Sequence, residues 1–206
     1  TRRSSDLLQQ ARLQPQDCIE LFESQCLSRH LDLQARLLKQ DNRSYYTIGS
    51  CGHEGNAAVA RTFQLKDPAF LHYRSGGFML ERARFKPEID MVKQILLSLM
   101  AAADEPLCSG RHKIFGNTVL NVPPQTSTIA SHCPKAVGAA ISIGRAKSLG
   151  LESTWPSDSV IICSLGDASL NHASALAALN TAQWLAYQAI PVPIVFICED
   201  NGIGIS

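Results

Sequence analysis

No stretch of the 206 residues approaches the roughly 18 consecutive apolar positions a bilayer-spanning helix needs, so none reads as a membrane span. An excess of one charge sign is also missing. Lys and Arg number 19 against 18 Asp and Glu, and no basic block occurs, which argues against a nucleic-acid surface. The seven cysteines are odd in number and include no Cys-x-x-Cys pair. Several sit inside apolar runs, such as Ile161-Ile162-Cys163 and Phe196-Ile197-Cys198, and so read as small buried hydrophobes in a reducing compartment. No Gly-x-Gly-x-x-Gly follows an apolar run, which disfavours a dinucleotide-binding fold. The opening Thr1-Arg2-Arg3-Ser4-Ser5 lacks the apolar core of a secretion signal and an initiating Met, as expected of a trimmed chain or a piece of one.

What is present is an ordinary globular balance, 45% hydrophobic and 18% charged, in a length that supports one sizeable core. Pro15 and Asp17 introduce a helix over residues 16–40, with Ile19, Phe22, Cys26, Leu33 and Leu37 recurring near helical spacing as its expected apolar face. Residues 41–51 read as loop, 54–63 as a short Ala-rich helix, and 73–85 and 88–103 as two more helices separated by Pro87. Residues 104–133 carry Pro106, Gly110, Gly116, Pro123 and Pro124 and read as a long irregular segment of functional kind. Residues 135–149 form a small-residue helix with Pro134 in its first turn.

Two short apolar runs rich in β-branched residues follow, 160–165 and 192–198. Neither alternates, so both are expected to be buried on both faces of a parallel sheet. Between them, residues 170–189 read as a helix with Ala175, Leu176, Leu179, Ala182 and Leu185 on its apolar side. The unit is βαβ, its crossover right-handed. The fold class is α/β, a parallel sheet flanked by helices. Residues 1–50 are expected to form a helical N-terminal extension, and residues 51–206 an α/β domain expected to be truncated at its C-terminal end.

In such a unit the carboxyl ends of both strands share one sheet edge, where ligands bind. One strand runs into Gly166-Asp167-Ala168-Ser169, the other into Glu199-Asp200-Asn201-Gly202-Ile203-Gly204. Asp167 brings a carboxylate and Asn201 an amide oxygen, the hard donors that Mg²⁺ prefers alongside phosphate. Gly166 lets a phosphate approach the backbone, and a helix beginning at Ser169 would offer free N–H groups to an anion. Taken singly, Gly-Asp is also a plain helix cap and Asp-Asn-Gly a plain turn.

These segments resemble the thiamine-diphosphate motif, which opens Gly-Asp-Gly or Gly-Asp-Ala and closes on an Asn pair. The closing stretch, through Ile205-Ser206, is most similar to the alpha part of the decarboxylating component of 2-oxo acid dehydrogenases (pyruvate and branched-chain types). Three more segments agree in order: Gly52-His53-Glu54-Gly55, Tyr73-Arg74, and Gly110-Arg111 followed by Thr126-Ser127-Thr128-Ile129-Ala130 and Pro134-Lys135-Ala136-Val137-Gly138-Ala139-Ala140. The resemblance implies the diphosphate-binding half of the thiamine-diphosphate fold. It implies Mg²⁺ held by Asp167, Asn201 and the Ile203 carbonyl, and diphosphate met by Tyr73, Arg74 and the Gly166-Asp167-Ala168-Ser169 turn. The backbones of Ser127 and Ile129 would meet the aminopyrimidine. The implied reaction is oxidative decarboxylation of a 2-oxo acid with acyl transfer to a lipoyl group on a partner acyltransferase. A beta-type domain or subunit, fused or separate, would complete the site in an oligomer, in the cytoplasm or, in a eukaryote, the mitochondrial matrix.

The sequence also departs from the pattern. Asp200 replaces the first Asn of the closing pair, and the interval from Asp167 to Asn201 is extended near residues 186–190. The usual Met-Pro-x-His after Gly-Arg is absent, and His112 does not fill its place. Ser131-His132 resembles a Ser-His of the 2-oxoglutarate type, which makes His132 a catalytic candidate beside the alternative of a histidine satisfied at the helix entry. Another thiamine-diphosphate enzyme, such as a transketolase or phosphoketolase, and a non-catalytic α/β interaction domain remain as rival readings.

Overall fold

A computed structural model describes residues 11, 13–112 and 114–204. The first long helix, α1 (Pro15–Gln40), starts where Pro15 needs no N–H partner, and a capping box seals it: the Gln14 amide donates to Asp17 Oδ2 at 2.7 Å. A 3₁₀ turn at His53–Asn56 leads into α2 (Ala57–Thr62), followed by β1 (Ala69–Phe70), α3 (Gly76–Ala83) and α4 (Met91–Leu99). Next come the hairpin strands β2 (Ile114–Asn117) and β3 (Val122–Thr126), then α5 (His132–Leu149), β4 (Ile161–Gly166), a 3₁₀ turn at Asp167–Ser169, α6 (Ala173–Tyr187) and β5 (Ile194–Glu199). Among the described residues no helix is long and apolar enough to cross a membrane.

The main sheet has the order β1-β4-β5, all parallel. Its two faces carry separate cores. Ile162 joins Ala69, Leu71, Phe78 and Met79 on one side; Ile161, Cys163 and Leu165 join Ala136, Ala140 and Ala175 of the covering helices on the other. The α/β reading, the βαβ unit and its unbroken register are therefore as expected, from Ile161 opposite Ile194 to Gly166 opposite Glu199. The ladder is joined above by Ile161 N–H donating to Pro193 O and Ile162 N–H to Pro68 O.

Four expectations are corrected. The face of α1 that docks is Ser24, Ser28, Leu31, Ala35 and Leu38, while Ile19, Phe22, Leu33 and Leu37 are each more than half exposed. The reason lies in α3: Glu81 is fully buried and takes a 2.7 Å hydrogen bond from Ser24, with Arg61 at 2.9 Å, and a Cβ on Gly76 would stand 2.9 Å from Ser28 Oγ. A buried carboxylate requires polar partners, and the close approach requires small ones. The strand β5 is not buried on both faces; Val195 and Cys198 are exposed, because β5 has a neighbour on only one side among the described residues. The helix after Asp167 does not begin at Ser169 but at Ala173, capped by the His172 ring, and it leaves Leu176 exposed. The segment 104–133 holds the antiparallel hairpin β2–β3, in which Gly116, at φ +143°, packs where a Cβ would meet Val122 O at 2.9 Å.

Candidate functional site

The pairing of Gly166 with Glu199 means that both chains leave the sheet at the same level of the same edge. Asp167 opens the 3₁₀ turn with a half-buried side chain, and Ala168 lies exposed beside Ser169. On the neighbouring strand, Asp200 Oδ1 accepts from Gly202 N–H at 2.7 Å and Asn201 Oδ1 accepts from Ile203 N–H at 3.0 Å, which folds the Asp-Asn-Gly-Ile stretch into a tight turn. Ile203 projects its side chain into solvent; Ile205 and Ser206 lie outside the described residues. Negative charge gathers here: burial, then Asp167, Asp200 and Glu199, push the Cys198 thiol above its ordinary value. The donors are hard oxygens in a negative field, a set suited to a small divalent cation.

A loop from residue 49 to 52 ties this edge to the Tyr73-Arg74 pair. The Asn201 amide donates to Cys51 O at 2.8 Å, while Arg74 donates to Gly49 O at 2.6 Å and reaches Cys51 Sγ at 3.2 Å. Arg74 also lies 5.3 Å over the Tyr73 ring, so its guanidinium is held from both sides. The loop adopts left-handed backbone at Cys51 (φ +50°) and Gly52 (φ +96°). A Cβ at Gly52 would stand 3.1 Å from Asn201 Cβ, so only glycine both takes this conformation and leaves Asn201 in place. Tyr73, Arg74 and Ser127 line one cavity of about 120 Å³, together with apolar groups of α1 and α4 such as Leu31 and Ile95. Ile129 is exposed and outside that lining.

His132 meets β4 at Ser164, two residues before Gly166. It is buried, donates Nε2–H to Ser164 O at 2.7 Å, and lies beside Cys133 at 3.7 Å. A hydrogen bond from Cys163 holds the Cys133 thiol below its ordinary value against the opposing effect of burial, with His132 assisting, while Cys163 is pushed up.

Sequence reasoning missed one constellation. Glu199 Oε2 lies 3.1 Å from His53 Nδ1, 3.1 Å from His72 Nε2 and 3.2 Å from Asn56 Nδ2. Burial, then the neighbouring His72, holds His53 below the usual imidazole value. Burial works against the Glu199 charge, but His72, His53 and Asn56 outweigh it and keep the carboxyl below its usual range. The ring of His53 fills the space that a side chain at position 166 would reach, 3.6 Å from the Cβ position of Gly166. Two histidines beside the Gly-His-Glu-Gly and Tyr-Arg segments were the available signal.

The family model described as "Dehydrogenase E1 component" matches residues 22–206. The chain is similar to the 2-oxoisovalerate dehydrogenase subunit alpha of Bacillus subtilis (strain 168), 25% identical over 199 residues, which cover 94% of this chain and 54% of that protein. It is also similar to the mitochondrial 2-oxoisovalerate dehydrogenase subunit alpha of Homo sapiens, 25% identical over 191 residues covering 91% of this chain and 38% of that one. The subunit alpha 2 of Arabidopsis thaliana is 27% identical over 170 residues, 82% of this chain and 32% of that one. The chain thus spans about a third to a half of the length of these relatives.

Proposed function

The chain belongs to the dehydrogenase E1 component family, and from that premise we propose that it is the alpha-type, thiamine-diphosphate- and Mg²⁺-binding part of a 2-oxo acid dehydrogenase. The reaction is oxidative decarboxylation of a 2-oxo acid with acyl transfer to a lipoyl group. A beta-type domain or subunit completes the site, and a lipoyl-bearing acyltransferase takes the product. The relatives' names make a branched acid of the 2-oxoisovalerate kind the first substrate to assay.

The observation that supports this reading is the opposition of Gly166 and Glu199, which sends Asp167 and Asn201 off one edge. The residues fit the cofactor: hard oxygens for Mg²⁺, negative charge at the strand ends, and a left-handed Gly52 that makes room for Asn201. Asp167, Asn201 and the Ile203 carbonyl would hold Mg²⁺. Arg74, steadied by Gly49 O and the Tyr73 ring, offers its planar fork to the diphosphate. The Ala168 and Ser169 amides would border the phosphate groups, and the Ser127 and Ile129 backbones would meet the aminopyrimidine. When bound, thiamine diphosphate supplies the carbon nucleophile and the electron sink for loss of carbon dioxide. His132, fixed by Ser164 O, ties α5 to β4 beneath the crevice.

Calorimetry of thiamine diphosphate binding with and without Mg²⁺ tests the assignment. Asp167→Ala is expected to weaken the Mg²⁺-dependent binding by more than about tenfold, with circular dichroism unchanged. Wild-type affinity in a folded Asp167→Ala variant overturns the reading.

A further inference from the structure

Glu199 Oε2 is 3.1 Å from both His53 Nδ1 and His72 Nε2, and one donor atom from each of the three side chains lies within 4.8 Å of the other two. Donor atoms around a tetrahedral ion with bonds of ~2.0–2.1 Å stand about 3.3 Å apart, so the two short edges of this triangle are already close to that spacing. His53, His72 and Glu199 are all at most 10% exposed at the side chain. Three buried polar atoms in this region have no hydrogen-bond partner among the described residues: His72 Nε2, which lies out of line with Glu199, Glu199 Oε1, and Ser164 Oγ. Ser164 is two residues before Gly166 on β4 and so shares the face on which Gly166 meets His53. Buried polar groups are seldom left unpaired, and a bound ion with one water would engage them together. Outer support is present as well. Asn56 donates to Glu199 Oε2 at 3.2 Å, and Asn56 Oδ1 is itself fixed by Phe78 N–H at 2.7 Å.

We propose that His53, His72 and Glu199 form a site for one divalent transition-metal ion of the zinc type, separate from the Mg²⁺ site at Asp167 and Asn201. Two imidazoles and one carboxylate with an open fourth position are the donor set zinc takes, and imidazole nitrogen selects against Mg²⁺. The ion joins the His53–Asn56 turn and the residues leading into Arg74 to the end of β5. The inference stands on these side chains alone and does not depend on the diphosphate reading. Ligation through His72 Nε2 puts the ring proton on Nδ1, so the 3.3 Å contact that Nδ1 accepts from the Arg74 amide opens when the ion enters.

The test is a Co²⁺ titration of the chelator-stripped chain, read by the visible absorption of tetrahedral Co²⁺. The expected result is one Co²⁺ per chain, displaced by Zn²⁺ and not by Mg²⁺, with the signal retained in Asp167→Ala and affinity lowered at least about tenfold in His72→Gln and Glu199→Gln. Where those variants lose their fold, NMR of the unmodified chain decides: Zn²⁺ shifts the His53 and His72 ring signals and the Arg74 amide, and leaves the His132 ring in place. The proposal is overturned by absent Co²⁺ bands, by unchanged affinity in folded His72→Gln, by loss of the bands in folded Asp167→Ala, or by rings of His53 and His72 that do not respond to Zn²⁺.

Discussion

Replacing Gly52 with alanine should damage cofactor binding and stability together, and the structure separates the two effects. Gly52 sits at φ +96°, and a Cβ there would stand 3.1 Å from Asn201 Cβ. Gly150, the left-handed cap of α5 at φ +64°, has nothing within 4 Å of its Cβ position and lies far along the chain from the sheet edge. Gly150→Ala therefore carries only the left-handed penalty, about 1–2 kcal/mol. Gly52→Ala carries that penalty, made worse by its wider φ, plus the displacement of Asn201 by a few tenths of an ångström. A total of about 2–4 kcal/mol follows. Urea denaturation measures both losses, and calorimetry with Mg²⁺ measures thiamine diphosphate affinity. The expected pattern is a destabilised Gly150→Ala that binds like the parent and a Gly52→Ala that binds more than about tenfold more weakly, the scale of a displaced supporting group. A folded Gly52→Ala with parental affinity would refute the claim that the loop holds Asn201 in a binding position.

Two further outcomes are expected. Ser24→Ala, which removes the hydroxyl donor from the fully buried Glu81, should cost about 1–3 kcal/mol in urea denaturation, whereas Phe22→Ser on the exposed face of α1 should change stability by no more than about 0.5 kcal/mol. The Cys133 thiol, held below its ordinary value by the hydrogen bond from Cys163, should give thiolate ultraviolet absorbance at a pH where a free thiol stays protonated, and that absorbance should disappear on acidification and be absent in Cys133→Ser. A depressed folded value means the unfolded chain binds more protons below the ordinary thiol value, so this group's stabilisation is lost as pH falls through the lowered folded value. Above 9.0 the raised Cys163 thiol acts in the opposite direction, and a denaturation series across pH checks both limbs.

The βαβ unit was legible because β4 and β5 are continuous apolar runs, the first running into Gly166-Asp167 and the second into Asp200-Asn201-Gly202, and parallel strands must end on one edge. That alone set the segments of Asp167 and Asn201 on one sheet edge, and the pairing of Gly166 with Glu199 agrees. The packing of α1 was not legible: its buried face carries Ser24 and Ser28 to serve Glu81, 57 positions further on, and periodicity of apolar residues points to the opposite side. The hairpin β2–β3 was hidden because Pro123 and Pro124 lie within β3 and Gly116 within β2, residues that ordinarily argue against a strand. The cluster of His53, His72 and Glu199 draws on three separate segments, and its only local sign was the two histidines beside the Gly-His-Glu-Gly and Tyr-Arg segments. The link from Arg74 through Cys51 to Asn201 is likewise a product of tertiary contact.

If Asp167 and Asn201 serve one shared ion, a double-variant cycle on the Mg²⁺-dependent part of thiamine diphosphate affinity shows it. Asp167→Ala, Asn201→Ala and the pair are compared by calorimetry. Ligands of one ion are coupled, so the double variant is predicted to lose no more Mg²⁺-dependent affinity than Asp167→Ala loses alone. Two partial losses that simply add in the double variant would mean that the two side chains do not share an ion.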